Sequence, residues 1–281
     1  MKKRSVFILL LVYFAVYAGV YIYNLSFIVE GERHFVIADD ILISMRYAKN
    51  LAEGHGLVFN IGEKVEGYSN FLWVIILAAL HSLSGVSIPS LAQQLGILLG
   101  LANVLLTFSI ASKLPGDENR RWAFAAALLV ALDLRVAVWS VEGLETPLYL
   151  FWALAALRLY IDREQPGWWW SLPALGAALT RPDGAVLFIA LGIHRLWRLV
   201  REKRFPAGAD WIALAVFVVP YGIYNAWRIA YFGGYLLPNT FFARGSHGPL
   251  IGAIYVARGF GVAAGTHVFY NLVVRALILG G

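Results

Sequence analysis

The sequence has no cysteine and few charged residues. Because cysteine is absent from all 281 positions, neither a disulfide nor a thiolate metal site can form. Charged residues make up only 14% of the chain, whereas hydrophobic residues make up 60%. A soluble domain of this length needs a more charged surface than these residues provide. The shortage of charge therefore argues against a soluble protein.

Signals of several enzyme classes are also absent from the sequence. The six histidines lack metal-ligand spacing. No glycine-rich phosphate loop is present, so binding of ATP or of a cytosolic nucleotide sugar is not supported. No small-x-small cleavage site follows the first apolar segment, and this segment is therefore interpreted as an uncleaved membrane helix.

Long apolar blocks occupy most of the chain. A helix that crosses a bilayer needs ~20 apolar residues. The pattern predicts an all-α polytopic membrane protein with about eight transmembrane helices. The shorter apolar stretch 71–83 is predicted to be a juxtamembrane half-helix. The candidate spans lie at about 5–28, 90–112, 122–140, 146–161, 168–180 with 184–197, 210–232 and 250–279.

The basic residues predict which side of the membrane each loop faces. They give a net charge of +6 and cluster between apolar blocks at 2–4, 113–121 and 195–204. Such clusters are typical of cytoplasmic loops rather than of a nucleic-acid interface. The sequence therefore predicts a multi-pass protein of the cytoplasmic (inner) membrane with a cytoplasmic N-terminus. On this topology four polar segments lie outside, namely 30–70, 139–147, 180–184 and 237–245.

The first outward loop contains two adjacent carboxylates, Asp39 and Asp40. A helix predicted from Ile41 to about residue 53 places Asp39, Arg46 and Asn50 on one face. One interpretation is structural, with Asp39 as an N-cap and Arg46 paired with Asp40 or a lipid phosphate. The alternative is a site in which the carboxylates act in catalysis.

The rest of this loop is predicted to return to the membrane surface. Residues 57–70 have the pattern of a short hairpin, with a glycine turn at 60–63. This arrangement would bring Glu66 and Tyr68 near the membrane, so acidic groups from the two ends of the loop would face each other.

Three later motifs and one long run together resemble a known family. The long run is "DDILISMRYAKNLAEGHGLVFNIGEKVEGYSNFLW", and the later motifs are "GLETPLY", "LTRPDG" and "LLPNTFFAR". They resemble, in this order, the terminal arabinofuranosyltransferase group of the GT-C superfamily of membrane glycosyltransferases. The resemblance covers residues 1 to about 250.

The resemblance implies a GT-C-type helical bundle with a long first outward loop that carries juxtamembrane helices. It implies transfer of arabinofuranose, or another pentose or hexose, from a polyprenyl-phosphate donor. The acceptor would be an envelope glycan, lipid or protein outside the cytoplasmic membrane, and the anomeric carbon would be inverted. The resemblance implies no nucleic-acid partner, and it implies that membrane lipids surround the protein.

Roles for individual residues follow from the same resemblance. Asp39 is expected to be the general base, with Asp40 as the second choice. No cofactor is definite, although Asp40 and Glu66 are candidates to hold Mg²⁺, Mn²⁺ or Ca²⁺. The candidate substrate-binding residues are Arg46, Asn50, Glu66, Tyr68, Glu142, Glu145, Arg181, Asp183 and Asn239.

The domain organisation is expected to be simple. Residues 1–281 form one transmembrane module, without the C-terminal helices and outward soluble domain of longer relatives. Two alternatives from other classes remain at this point. One is a lipid or sugar transporter or flippase, and the other is an inactive scaffold subunit with the same fold.

Overall fold

The structure, a computed structural model, describes residues 3–35, 39–113, 121–161 and 166–233. For Asp39 and Asp40 it gives the helical backbone but not the side chains. The predicted last span 250–279 and the segment 237–245 with Asn239 lie outside the described residues. The described part is mainly helical, which agrees with the predicted helical class.

The elements are numbered in chain order. The helices are α1 Lys3–Asn24, α2 Asp39–Ala52, α3 Phe71–Ser84, α4 Ile88–Ala111, α5 Arg121–Leu132, α6 Leu134–Val141, α7 Thr146–Tyr160, α8 Ser171–Thr180, α9 Ala185–Arg201 and α10 Gly208–Tyr231. The strands are β1 Ser26–Val29 and β2 Glu32–Phe35, and single 3-10 turns lie at Trp168–Trp170 and Pro182–Gly184.

Two helices, α4 and α10, are long and apolar enough to cross a membrane, each with 24 residues. Helices α5 and α6 pass the same test as a pair, but they meet at an angle of 55°. The described part therefore has two or three candidate spans by length and composition, and the number of about eight stays a prediction.

The bend between α5 and α6 shows that one continuous helix over 122–140 was the wrong prediction. The break falls at Asp133, which with Arg135 interrupts a largely apolar block. Its carboxylate accepts a hydrogen bond of 2.8 Å from the Arg135 N–H and caps the N-terminus of α6. A capping carboxylate competes with the helix backbone for this donor, so a new helix begins there.

The short apolar helix predicted at 71–83 is present as α3, with 14 residues. It ends at Gly85, whose φ of 69° is a left-handed conformation that glycine adopts without steric cost. Its length is below that of a membrane span. Its position at the membrane surface stays a prediction.

A β-hairpin follows α1, where the sequence had predicted helix as far as residue 28. Ser26 pairs with Phe35 in the antiparallel register of the two strands. The connecting residues Glu30 and Gly31 have φ angles of 51° and 85°, which is the pattern of a type I′ turn. The first strand was missed because its apolar residues, Phe27, Ile28 and Val29, continue the apolar block of α1.

The hairpin predicted over 57–70 is not formed, although its turn is. Gly62 has the expected positive φ of 92°, and the Glu63 N–H donates to the Asn60 carbonyl over 3.1 Å. No strand is present because side chains of α2 take the backbone carbonyls of Val58 and Phe59. These carbonyls are then not available for a β-ladder.

Helix α4 lies at the centre of the bundle, in contact with α1, α2, α3, α5, α6 and α7. Its close approach to α6 depends on Gly96, because a Cβ there would collide with the carbonyl oxygen of Ser140. A Cβ on Gly100 would lie 2.6 Å from Ser140 Oγ. These two glycines therefore allow α4 and α6 to pack closely.

One hydrophobic core holds the parts that carry the candidate site. Buried side chains of α2, α3, α4 and α7 pack together, including Ile41, Trp73, Leu77, Ala92 and Leu148. The Trp73 indole donates to the Gly143 carbonyl over 3.1 Å and so ties α3 to the turn before α7. This packing brings the N-terminal ends of α2, α3 and α7 side by side.

Candidate functional site

Helix α2 begins at the two aspartates that the sequence singles out. Asp39 is its first residue and Asp40 its second. By helical spacing, Asp40 lies on the same face as Ser44, one turn further along. Ser44 is buried, so this is the face of α2 that meets the rest of the bundle. The choice between the two aspartates as base stays a prediction.

Five polar residues form a connected group next to this face, here called the Arg181 cluster. They are Ser44, Asn70, Glu145, Arg181 and Asp183. Asn70 is its centre and is buried. Its Nδ2 donates to Glu145 Oε2 over 2.9 Å, and the Ser44 hydroxyl donates to its Oδ1 over 3.0 Å. Asn70 therefore joins α2, α3 and α7 through one side chain.

Arg181 is held by two carboxylates. Its Nη1 donates to Glu145 Oε1 over 3.3 Å, and its Nε donates to Asp183 Oδ1 over 3.1 Å. Its guanidinium carbon also lies 5.7 Å from the centre of the Tyr149 ring. Because both Glu145 oxygens are engaged, by Arg181 and by Asn70, the orientation of this carboxylate is fixed.

Two proline-containing motifs place these residues. Arg181 precedes Pro182, which disfavours helical backbone, and its φ of −149° and ψ of 137° end α8. The 3-10 turn that follows carries Asp183. Pro147 occupies the first turn of α7, where its missing N–H costs nothing, so the helix starts directly after Glu145. The sequence motifs "TRPDG" and "LETP" thus meet at one point.

A buried ion pair connects the loop between α2 and α3 to α10. Arg228 Nη1 donates to Glu66 Oε2 over 2.7 Å, with side chains that are 7% and 5% exposed. Burial raises the pKa of Glu66, and the nearby charge of Arg228 partly offsets that rise. The two residues are 162 positions apart in the chain, so the pair fixes tertiary rather than local structure.

Tyr68 lies beside this ion pair in an aromatic group. Its ring centre is 4.7 Å from that of Tyr47 and 6.1 Å from that of Phe232. Burial raises its pKa far above the ordinary phenol value. Among the residues that the structure describes, its buried hydroxyl has no hydrogen-bond partner.

Arg46 and Asn50 bind the loop after α2. Asn50 Nδ2 donates to the carbonyls of Val58 and Phe59 over 2.8 and 2.9 Å, and Arg46 Nε donates to Phe59 over 3.2 Å. Arg46 is exposed, whereas Asn50 is buried. Both hold the loop in place, and a role in binding substrate stays a prediction.

Glu142 does not join the Arg181 cluster. It ends α6, the helix that packs on α1, whereas Glu145 begins α7. Burial raises the pKa of Glu142. Of the two glutamates in this segment, only Glu145 lies with Arg181 and Asp183 in the described part of the chain.

Three functional candidates were missed in the sequence: Ser44, Asn70 and Arg228. Arg228 had a signal, because an arginine inside an apolar block is costly in lipid and implies a partner. The sequence signal for Ser44 was weaker: it is a polar residue on the same helix face as the apolar residues Ile41 and Ala48. Nothing in the sequence distinguished Asn70 from other loop amides.

In the ranges that the structure describes, no group of three histidine, aspartate or glutamate side chains converges to form a metal site. Glu66, one of the two candidate ligands, is paired with Arg228. The side chain of Asp40, the other candidate, lies outside the description. A divalent cation stays a prediction.

Comparison with known proteins gives one relative with a stated activity. The chain is similar to the terminal β-(1→2)-arabinofuranosyltransferase of Mycobacterium tuberculosis (strain ATCC 25618 / H37Rv), with 30% identity over 243 residues. The match covers 79% of this chain and 37% of that protein, so the chain spans just over a third of its relative. No protein-family model matches the sequence, and no solved structure matches it. The similarity supports a glycosyltransferase-like protein in general terms.

Proposed function

We propose that the chain carries the donor chemistry of a membrane glycosyltransferase. It would transfer a sugar from a polyprenyl-phosphate donor to an acceptor on the outer face of the cytoplasmic membrane. The observation that carries this proposal is the Arg181 cluster, which is anchored to the helix that begins with Asp39 and Asp40. The similarity to an arabinofuranosyltransferase supports the same reaction class.

The reaction begins with a general base at the N-terminus of α2. Asp39, or Asp40 as the second choice, takes the proton of an acceptor hydroxyl. The hydroxyl oxygen attacks the anomeric carbon while the bond from that carbon to the phosphate oxygen breaks. The electron pair leaves with the lipid phosphate, and the attack from the opposite face inverts the anomeric carbon.

Arg181 is the candidate for stabilising the leaving phosphate. A guanidinium matches phosphate oxygens with a rigid fork of donors. Glu145 and Asp183 hold it in one orientation, so little freedom is lost when it binds.

The net charge of the Arg181 cluster limits how well Arg181 alone stabilises a phosphate. One guanidinium and two carboxylates give a net charge of −1. A phosphate therefore needs further positive charge, for which Arg46 on α2 and a divalent cation are the two sources that the residues support. A cation would screen the leaving phosphate, and Arg46 would supply the same charge from the protein.

The remaining acids and amides are proposed to bind sugar. Asp183 is the more exposed acid of the cluster, with 24% of its side chain accessible, against 12% for Glu145. It is therefore the better placed to accept hydrogen bonds from sugar hydroxyls. Glu142, Tyr68, Asn50 and Asn239 complete the proposed binding residues.

The direct test measures sugar transfer from a polyprenyl-phosphate donor in membranes that contain the protein. Asp39→Asn is expected to reduce transfer at least about a hundredfold, the usual effect of losing a general base. Asp40→Asn tests the second choice. Both variants should retain normal expression, because an asparagine also caps a helix N-terminus.

The matched control is Glu63→Gln, which removes an exposed acid from the same loop. In the described part of the chain its carboxylate accepts a hydrogen bond from the Asn60 side chain on the exposed surface, so transfer should be unchanged. Unchanged transfer in both aspartate variants would contradict the base assignment. Movement of the donor across the membrane without transfer would support a flippase instead.

A further inference from the structure

Helix α9 carries an apolar stripe that is not covered by the described part of the chain. Its members recur every three or four residues on one face, and each is more than half exposed. They are Val186, Ile189, Ile193, Leu196 and Val200. The opposite face is buried through Leu191, Arg195 and Leu199. The stripe is thus an apolar surface that the described part of the chain leaves uncovered, and it runs to the last turn of α9.

Basic residues concentrate where this stripe ends. Residues 198–204, here called the basic turn, contain Arg198, Arg201, Lys203 and Arg204 with the single acid Glu202. Four positive charges and one negative charge leave a net charge of +3. Glu202 is shared between Arg198 at 3.2 Å and Arg204 at 3.8 Å.

The backbone of the basic turn is well defined. The Arg204 N–H donates to the Leu199 carbonyl over 2.9 Å, and the Lys203 N–H donates to the Val200 carbonyl over 3.1 Å. This is the bond pattern that ends a helix with one left-handed residue. That residue is Lys203, with a φ of 52°.

A lysine at this position is unfavourable for the backbone. Glycine adopts left-handed φ without the clash that a Cβ causes, and it is the usual residue at this point of a helix end. The chain instead places an exposed cation there.

The basic turn is fixed at the end of a candidate membrane helix. Arg195 Nε donates to Asp210 Oδ1 over 2.7 Å, which ties α9 to the first turn of α10. Arg201 lies 5.4 Å from the centre of the Trp197 ring. Trp197 and Phe205 are 54% and 92% exposed. Tryptophan is enriched at membrane–water interfaces.

We propose that the basic turn binds the headgroup phosphate of an anionic phospholipid, whose acyl chains lie along the apolar stripe of α9. Charge complementarity selects a negative headgroup, and the continuous stripe selects a molecule with an apolar tail. On the predicted topology this is the cytoplasmic leaflet. The proposal does not depend on the catalytic function.

The test uses the purified chain in detergent micelles, titrated with dioleoylphosphatidylglycerol or with dioleoylphosphatidylcholine. A ligand that binds the folded state raises Tm in a concentration-dependent way. Phosphatidylglycerol is expected to raise Tm, while phosphatidylcholine and inorganic phosphate are not. Arg201→Gln should increase the half-saturating amount of phosphatidylglycerol about fivefold, the usual effect of one basic residue near an anionic surface.

Lys203→Gly separates the proposed role from a structural one. Without lipid, Tm should be equal to or higher than that of the native chain, because glycine relieves the left-handed backbone. The response to phosphatidylglycerol should nevertheless weaken about fivefold. A lysine that only shapes the turn would give no such loss.

Two control variants match this change. Glu30→Gly relieves the same conformation in the turn between β1 and β2, and Lys49→Gln removes an exposed positive charge from α2. Both should keep the native response to phosphatidylglycerol. An equal response to both lipids, a shift with inorganic phosphate alone, or a native response in Arg201→Gln and Lys203→Gly would overturn the proposal.

Discussion

At the scale of single residues, Asn70 determines how the Arg181 cluster is assembled. An amide has a donor and an acceptor on one rigid plane, and here they contact a carboxylate and a hydroxyl. Its Nδ2 donates to Glu145, and Glu145 in turn holds Arg181. We therefore expect Asn70 to be a positioning residue for the guanidinium.

Replacing Asn70 with aspartate gives a pH-dependent test of this role. A carboxylate here would face Glu145 across about 3 Å, and like charges at this distance raise the pKa of the pair. Below the raised pKa, the protonated aspartate donates to Glu145 as the amide does. Above it, the bond is replaced by repulsion. Sugar transfer by Asn70→Asp should therefore fall as pH rises and recover in part as pH falls.

Asn70→Asp should lower transfer by a defined factor, and Asn60→Asp is its matched control. At neutral pH, transfer should fall about tenfold, the equivalent of one lost hydrogen bond with its desolvation cost. Asn60→Asp makes the same change beside Glu63, where the amide donates over 3.0 Å on the exposed surface. Solvent screens that pair, so its pH profile should match the native one. An identical profile for Asn70→Asp would remove the positioning role.

At the scale of elements, the Glu66–Arg228 pair fastens the loop between α2 and α3 to α10. Tyr231 of α10 adds a second contact, since its hydroxyl accepts from the Leu57 N–H over 3.2 Å. The loop thus depends on a helix that begins about 140 residues later in the chain. Its shape is set by α10 as well as by α2.

Breaking the Glu66–Arg228 pair should destabilise the protein strongly. Glu66→Gln or Arg228→Gln removes one charge of the buried pair, which costs about 3–5 kcal/mol. The double variant should cost less than the sum of the two, because it leaves no buried charge. Unfolding by denaturant in micelles measures these differences.

A second ion pair in the same region is the control for this prediction. Lys49 and Glu53 are 3.7 Å apart on the surface of α2, with about half of each side chain exposed. Removing either charge should change the free energy of unfolding by at most about 0.5 kcal/mol. Equal losses for the buried and the exposed pair would show that the loop is not fastened as described.

At the scale of the whole molecule, the absence of cysteine makes the topology directly testable. A single introduced cysteine is the only thiol in the protein. Glu63→Cys should react with a membrane-impermeant thiol reagent added outside intact cells, and Lys203→Cys should not. Both positions are exposed in the structure, so burial does not explain a difference. The reverse pattern would place the proposed site in the cytoplasm.

Much of the helical framework was predictable from sequence. The apolar blocks gave α4, α7 and α10 nearly as they are, because a run of apolar residues bounded by polar ones has few alternatives in a membrane. The bend at Asp133 and the β-hairpin were not predictable from these blocks. Both depend on local hydrogen bonds, which composition does not reveal.

The candidate site was predictable in part. The grouping of Glu145, Arg181 and Asp183 was expected from their shared side of the membrane, and the structure brings them together. The separation of Glu142 from this cluster was not expected. The chain turns between residues 142 and 146, and this turn sends Glu142 to α6 and Glu145 to α7.

The sequence by itself determined the protein class, the side on which the polar motifs are predicted to lie and the residue types available for chemistry, because hydropathy and charge act locally along the chain. The tertiary structure decided which of these residues touch. Asn70 bonds to Glu145, and Glu66 pairs with Arg228, only because helices far apart in the chain pack against each other. Contacts of this kind depend on the shapes of packed helices, which no single segment contains.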